Sequence, residues 1–161
     1  MTRPTPQQAW TGILRGAPDQ YGAAIAGAED AVLRYRPAPG EWSAVEVLGH
    51  MVDTMTVWAG RVRLVATEER PLLPGYDQDA YVRDKDYQHG DPAALMAQFA
   101  AACESFAVLV EGLPEAALGR TAVHGENGPM TLPQCVESPL STVPEHLAQF
   151  EAAMAAYDAR R

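Results

Sequence analysis

The sequence predicts an all-α four-helix bundle, and three observations support this prediction. Four stretches repeat their apolar residues at alternating intervals of three and four positions, the pattern of one buried helix face. Each stretch begins with residues that cap helix N-termini. A long segment, residues 68–90, separates the second stretch from the third and is rich in proline, glycine and charge. Some four-helix bundles use such a crossover, and we expect one short helical turn inside it.

The first and third predicted helices have clear boundaries. The first begins after Thr5 as the cap, with Pro6 in its first turn, although Pro18 should kink it or split it in two. The third begins after Asp91 and ends at Gly112. Their apolar stripes are Trp10, Ile13, Leu14, Ala17, Tyr21 and Ile25 in the first helix, and Leu95, Phe99, Ala102, Phe106 and Leu109 in the third.

The second predicted helix opens with a capping box formed by Ser43 and Glu46 and runs to about Thr67. Glu46, His50 and Asp53 lie beside its apolar stripe, and polar groups in that position indicate a cavity or its rim. Ser43 should bond Glu46, so Glu46 is better explained as the capping partner than as a catalytic base. The stripe itself consists of Leu48, Met51, Met55, Trp58, Val62 and Val65.

The fourth predicted helix begins with a capping box at Thr131 and has the strongest apolar periodicity in the chain. Pro139 and Pro144 would each cost about 3 kcal/mol in a straight helix. We therefore expect a kink, or an end near Ser138 and a restart capped by Thr142, with Glu145 as the partner in that box. Residues 115–130 should form a loop that can include a short hairpin, and no stretch predicts a convincing strand.

The composition excludes several classes of partner. The chain has 161 residues, with 12 basic and 21 acidic side chains and a net charge of −9. No cluster of lysine and arginine is available for nucleic acid or for an anionic membrane surface. No run of about 18 uncharged apolar residues predicts a membrane span, and the first eight residues lack the apolar run of a signal peptide. We expect one cytoplasmic domain, residues 1–161, with a homodimer possible through the apolar sides of the bundle.

Two histidines are the candidate functional residues. Thr142, His146 and Gln149 share one stripe of the last helix at positions i, i+4 and i+7. If the second and last helices pack side by side, His50 and His146 face each other, which is how helical bundles build metal sites. We expect their side chains to lie roughly 3–6 Å apart. Each histidine is either a metal ligand or general base, or a buried histidine bonded to a backbone carbonyl.

Neighbouring polar residues have competing explanations. Asp53 is a replacement ligand, a carboxylate that orients His50, or an exposed residue, and the exposed position is favoured. Gln149 either orients His146 or lies on the surface. His89 and His124 fall in polar loops and should be solvated, although His124 could lie over the mouth of a pocket. Cys103 and Cys135 are too far apart for a disulfide framework and are expected to be small buried residues.

Two motifs resemble the DinB-like (DinB/YfiT) superfamily. The first is Arg36-Pro37-Ala38-Pro39-Gly40-Glu41-Trp42-Ser43 followed by Glu46 and His50. The second, Glu145-His146-Leu147-Ala148-Gln149, resembles the end of the last-helix motif H-x-x-x-H-x-x-Q. The resemblance covers nearly the whole chain and implies an up-down-down-up four-helix bundle. It also implies a divalent metal, held by one histidine of the second helix and two of the last, and small-molecule chemistry that uses low-molecular-weight thiols.

The sequence departs from this motif at Thr142, which stands where the first histidine of the last helix is expected. A threonine hydroxyl is a poor ligand for zinc or nickel, and two imidazoles alone hold such metals weakly. We therefore expect His50 and His146 to bind metal weakly or not at all. Two hypotheses follow. One is a metal-dependent thiol transferase or hydrolase, in which the metal stabilises the anion of a thiol or of water; the other is a non-catalytic binding or structural member with a degraded site.

Overall fold

The computed structural model describes residues 3–160, which form a bundle of four long helices with two short helices and a small sheet beside it. The α-helices are α1 (Pro6–Ile25), α2 (Asp30–Leu33), α3 (Ala44–Thr67), α4 (Gln78–Asp84), α5 (Pro92–Glu111) and α6 (Leu132–Ala159). The strands are β1 (Leu72–Leu73), β2 (Thr121–His124) and β3 (Gly128–Thr131), and the predicted helical class is confirmed.

The directions of three of the long helices follow from contacts near their ends. The side chain of Gln7, at the start of α1, donates to the carbonyls of Val110 and Leu113 at the end of α5. The indole of Trp10, in the same part of α1, donates to Glu137 in the first two turns of α6. Hence α1 runs antiparallel to α5 and parallel to α6.

Arg120 fixes the direction of α3. Its guanidinium donates to the carbonyls of Val65 and Glu68 at the end of α3, and its own carbonyl accepts from the N–H of Leu132 at the start of α6. The C-terminal ends of α3 and α5 therefore meet the N-terminal ends of α1 and α6. This is the up-down-down-up order, and it explains why the crossover between the parallel helices α3 and α5 must be long.

Helix caps and core packing agree with the sequence patterns. Thr5, Ser43 and Thr131 each form a complete capping box, and Asp91 accepts from the N–H of Ala94. Large apolar side chains from all four helices fill the core, where each contributes about 1.5–3 kcal/mol. Fully buried members include Leu14, Tyr21, Leu48, Met51, Met55, Phe99, Phe106, Val136 and Phe150.

The prolines do not divide their helices. α1 continues through Pro18 and α6 continues through Pro139 and Pro144, so the expected break near Ser138 is wrong. Thr142 is not a cap; its hydroxyl donates to the carbonyl of Pro139 at 2.7 Å, which also removes the proposed pairing with Glu145. Each proline removes one hydrogen bond, whereas α6 is held along its length by packing against α3 and α1, and tertiary packing supplies most helix stability.

A three-stranded sheet lies beside the bundle; the short hairpin allowed within residues 115–130 is present as β2 and β3, whereas β1 was not expected. Its order is β1-β2-β3, with β1 parallel and β3 antiparallel to β2. The hairpin between β2 and β3 turns at residues 125–127, and Gly128 has a φ of 71° that favours glycine. Strands of two to four residues are too short to show an alternating pattern, which is why the sequence did not reveal them.

The crossover contains the predicted helical turn as α4, followed by a short 3-10 helix, Tyr87–His89. It is anchored to α3 at Asp53, whose carboxylate accepts from the hydroxyl of Tyr87 at 2.9 Å and pairs with Lys85. The hydrogen bonds of β1 to β2 fix its other end. The crossover is thereby held beside the first half of α3.

Helix α5 is long and apolar enough to cross a membrane by length and composition. No such segment was expected, because Glu104 interrupts the apolar run. The same test is passed by core helices, and α5 packs against both α1 and α3 with Phe99 and Phe106 fully buried. Its apolar character is therefore accounted for by the bundle core.

Candidate functional site

The histidines of α3 and α6 meet at one point. His50, in the second turn of α3, is only 1% exposed, and His146, in the middle of α6, is half-buried. Their Nε2 atoms lie 3.2 Å apart and their ring centroids 4.6 Å apart. The predicted separation is confirmed, while the role of the pair as metal ligands stays a prediction.

Hydrogen bonding fixes the protons of the pair. Nδ1 of His50 is buried without a partner, and an unpaired lone pair costs less there than an unpaired N–H. The proton of His50 is therefore on Nε2, which donates to Nε2 of His146. Nδ1 of His146 in turn donates to Oε1 of Gln149 at 2.9 Å, so the predicted contact between His146 and Gln149 is confirmed.

Burial controls the charge of His50. Desolvation, with a smaller contribution from the charge of His146, lowers the pKa of His50 to about 4. His50 is thus neutral near pH 7. The ring of Trp42 covers it with centroids 4.8 Å apart, and the hydroxyl of Thr54 lies 3.3 Å from its Nε2. That hydroxyl is a second acceptor for the proton that His50 gives to His146.

Two adjoining cavities open at the pair, and His146 lines both. The inner cavity has a volume of about 220 Å³ and lies between α3, α6, the crossover and the β2–β3 hairpin. The outer one is wider, about 590 Å³, and is bordered by Trp42, His146 and Gln149. The inner cavity is lined by His50, Thr54, Trp58, Arg61, Gly75, Tyr76, Gln78, His124, Glu126, Asn127, Ser138, Thr142 and His146.

Several of these lining residues were missed in the sequence. Arg61 and Tyr76 were not singled out. His124 was expected to be solvated or to lie over a pocket mouth; it is only 5% exposed and lines the inner cavity. A signal for Arg61 was present, because His50, Thr54, Trp58 and Arg61 follow each other at i, i+4, i+8 and i+11 on one face of α3. No local pattern could place Tyr76 or His124, since the crossover and the hairpin bring them in.

The other candidate residues lie away from the pair. Asp53 is not exposed as favoured; it is 2% exposed and its carboxylate is occupied by Lys85 and Tyr87 rather than by His50. Glu46 is the capping partner of Ser43, as predicted, and also pairs with Arg36 at 2.5 Å. Both carboxylates hold neighbouring segments in place.

The described residues do not supply a complete metal site. Two nitrogens on one tetrahedral ion, each about 2.0–2.1 Å from it, lie roughly 3.3 Å apart, and the 3.2 Å of the histidine pair agrees with that. Within residues 3–160, however, no group of three or more histidine, cysteine or carboxylate side chains could hold a metal ion. Thr142 lines the cavity but its hydroxyl faces Pro139. Nδ1 of His50 also lacks the acceptor that metal-bound histidines normally have.

Comparison with known proteins gives three relatives in sequence. The chain is 27% identical over 119 residues to a protein of Bacillus licheniformis, 28% over 88 residues to YfiT of Bacillus subtilis, and 26% over 77 residues to a protein of Geobacillus thermodenitrificans. All three bear the name of metal-dependent hydrolases. The alignments cover 74%, 55% and 48% of this chain and 68%, 49% and 43% of the relatives.

Solved structures share the fold, and a family model identifies the group. YfiT from Bacillus subtilis, described as a four-helix bundle of unusual topology, superimposes with a TM-score of 0.83 at 22% identity, covering 95% of this chain and 89% of YfiT. A mycothiol-dependent maleylpyruvate isomerase gives a TM-score of 0.72 at 13% identity, covering 91% of this chain and 61% of the isomerase. Because the model of the DinB superfamily matches residues 13–153, this chain belongs to the DinB superfamily.

Proposed function

We propose that this chain is an enzyme of the hydrolase or thiol-transferase type, which acts on a small polar molecule at the histidine pair with His146 as the general base. The observation that carries the proposal is the contact of the two Nε2 atoms, 3.2 Å apart, beside a cavity of about 220 Å³. The metal-dependent hydrolases among the relatives and the thiol-dependent isomerase among the structural neighbours support a small-molecule reaction.

The hydrogen bonds around His146 suit a general base. Its Nε2 lone pair becomes free when the ring of His50 rotates so that its Nε2–H donates to Thr54 in place of His146; the hydroxyl of Thr54 is 3.3 Å from that nitrogen. His146 can then take a proton from a thiol or a water molecule bound in either cavity, which leaves the thiolate or hydroxide as the nucleophile. Gln149 accepts the Nδ1–H and holds the ring in this orientation.

The proposed reaction does not depend on a tightly bound divalent metal. The spacing of the two nitrogens suits zinc or nickel, whereas the missing third ligand argues for weak binding. The alternative is a binding protein without catalysis, which the hydrogen bond of Thr142 to Pro139 favours because it leaves two imidazoles alone at the site. A low-molecular-weight thiol as co-substrate, a cytoplasmic location and a homodimer are part of the same proposal.

The test compares His146→Gln with a matched control. Two probe reactions are measured: hydrolysis of p-nitrophenyl esters, and transfer of a low-molecular-weight thiol to monochlorobimane. Metal content is determined on the same samples. We expect at least one reaction to fall about a hundredfold in His146→Gln and to remain in His89→Gln, which changes an exposed histidine of the crossover. Equal rates in all three proteins, or no activity in any, would favour the non-catalytic alternative.

A further inference from the structure

Arg61 is a buried cation without a carboxylate partner. It is 7% exposed, and no aspartate or glutamate oxygen among residues 3–160 lies within ion-pair distance of it. The arginines that do have carboxylate partners are all more exposed than Arg61: Arg15, Arg34, Arg36 and Arg83. Burying a charge is costly unless it is paired. The contrast indicates that Arg61 is placed for a partner outside the chain.

The contacts of Arg61 leave most of its donors free. One N–H of Nη2 donates to the carbonyl of Pro74 at 2.6 Å, and this is the hydrogen bond that the guanidinium makes within the described chain. The ring of Trp58 lies beneath its flat face, 4.3 Å from centroid to Cζ, and the ring of Tyr76 is 5.7 Å away. A guanidinium carries five N–H donors in one plane. One face of the guanidinium is covered by Trp58, and Arg61 lines the inner cavity.

His124 supplies a second donor in the same cavity. Its Nδ1 accepts from the backbone N–H groups of Glu126 and Asn127, both at 3.2 Å, so its proton is on Nε2. Nε2 has no hydrogen-bond partner within residues 3–160. Its ring is parallel to that of Trp58, within 9°, with centroids 6.0 Å apart. The ring of Trp58 therefore packs against both Arg61 and His124.

Arg61 lies in the same cavity as the histidine pair but at a distance from it along α3. Arg61 follows His50 by three helical turns on the same face of α3, about 16 Å along the axis, and both residues line the inner cavity. Arg61 and the histidine pair therefore contact opposite ends of a molecule that occupies this cavity. The cavity of about 220 Å³ has room for such a molecule, since it equals the volume of about seven waters.

We propose that Arg61 and the Nε2–H of His124 bind a carboxylate group of the small molecule whose other end reacts at the histidine pair. This rests on the proposed function for the location of the reaction, although the binding step can be tested alone. A carboxylate is favoured because the edge of a guanidinium matches its planar pair of oxygens. Glu126 also lines the cavity, and its negative charge repels a bound carboxylate. Neutralising Glu126 should therefore strengthen carboxylate binding.

The test uses the intact protein and two probes of equal shape, butyrate and butyramide. Binding is followed by the shifts of the Trp58 indole and Arg61 Nε–H signals in NMR spectra. We expect a dissociation constant at least tenfold lower for butyrate, and a further drop for butyrate in Glu126→Gln. Equal binding of acid and amide would overturn the proposal, as would tighter binding of inorganic phosphate than of butyrate.

Variants of Arg61 test whether this residue binds the carboxylate or only stabilises the fold. Arg61→Gln should remove the preference for butyrate, and Arg61→Lys should keep part of it. If Arg61→Gln fails to fold, the binding of butyrate and butyramide to the unmodified protein and to Glu126→Gln still tests the proposal. Butyrate bound through Arg61 in a protein without His146-dependent activity would refute the proposed function alone, whereas such activity without a preference for butyrate would refute this inference alone.

Discussion

Gly49 lies directly beneath the ring of Tyr87. A Cβ atom placed on Gly49 would be 2.2 Å from Cγ of Tyr87, closer than real Cβ atoms approach any carbon. Tyr87 is buried, and its hydroxyl is fixed on Asp53. The absence of a side chain at Gly49 therefore lets the crossover dock on α3 one residue before His50.

The first prediction is that Gly49→Ala destabilises the protein. Overpacking costs about 1–3 kcal/mol, which exceeds the gain of roughly 1 kcal/mol from replacing glycine in a helix. Gly60→Ala, in the same helix, is the control, because no atom lies within 4 Å of the added Cβ, and it should be neutral or stabilising. Urea denaturation measures both. Equal stability of the two variants would contradict the docking contact.

The second prediction concerns stability at low pH. The pKa of His50 is about 4 in the folded state and 6.5 in the unfolded chain, so the unfolded chain binds more protons between these values. Stability is thus lost as the pH falls from 6.5 towards 4, by an amount on the order of 3 kcal/mol. Unfolding free energies of the unmodified protein and of His50→Gln should differ in slope across this interval. Parallel curves would refute the depressed pKa.

The third prediction is that Thr142→His raises zinc or nickel affinity at least tenfold, about 1.4 kcal/mol, in a titration of metal-stripped protein. The added imidazole would stand one turn before His146 and supply the third strong ligand. Ser141→His, at the exposed neighbouring position, is the control and should change the affinity little. One tightly bound equivalent in the unmodified protein, unchanged by Thr142→His, would show that the third ligand comes from elsewhere.

The fourth prediction is that Gln149→Ala shifts the proton of His146. Without the acceptor at 2.9 Å from Nδ1, the tautomer of His146 with the proton on Nε2 should gain population. Nitrogen-15 shifts of the imidazole rings measure the change. Gln98→Ala, on the exposed surface of α5, serves as the control. Identical ring shifts in Gln149→Ala and the unmodified protein would show that Gln149 does not set the tautomer of His146.

The fifth prediction is that neither cysteine reacts in the native protein. Cys103 and Cys135 are free and buried, and burial raises the pKa of Cys103 to about 12 and that of Cys135 in the same direction. Ellman's reagent at pH 8 should modify both thiols only after unfolding, while an added thiol in Ser105→Cys, at an exposed position of α5, should react at once. Rapid reaction of Cys135 in the folded protein would contradict this prediction.

Much of the fold could be predicted because it depends on neighbours in sequence. The capping boxes at Thr5, Ser43 and Thr131 join residues three positions apart, and the contact of His146 with Gln149 lies within one helical turn. The proximity of His50 to His146 followed from the packing of two amphipathic helices, because each residue flanks the apolar stripe of its own helix.

Only the tertiary structure decided the rest of the site. Asp53 is buried because Lys85 and Tyr87, 32 and 34 residues away, meet its carboxylate. Thr142 became a helical residue because packing outweighs the hydrogen bonds that Pro139 and Pro144 remove. Arg61 and His124 share a cavity because strands of two to four residues hold the crossover and the hairpin there. Periodicity records which face of a helix is buried, whereas contacts between distant segments leave no periodic signal in either segment.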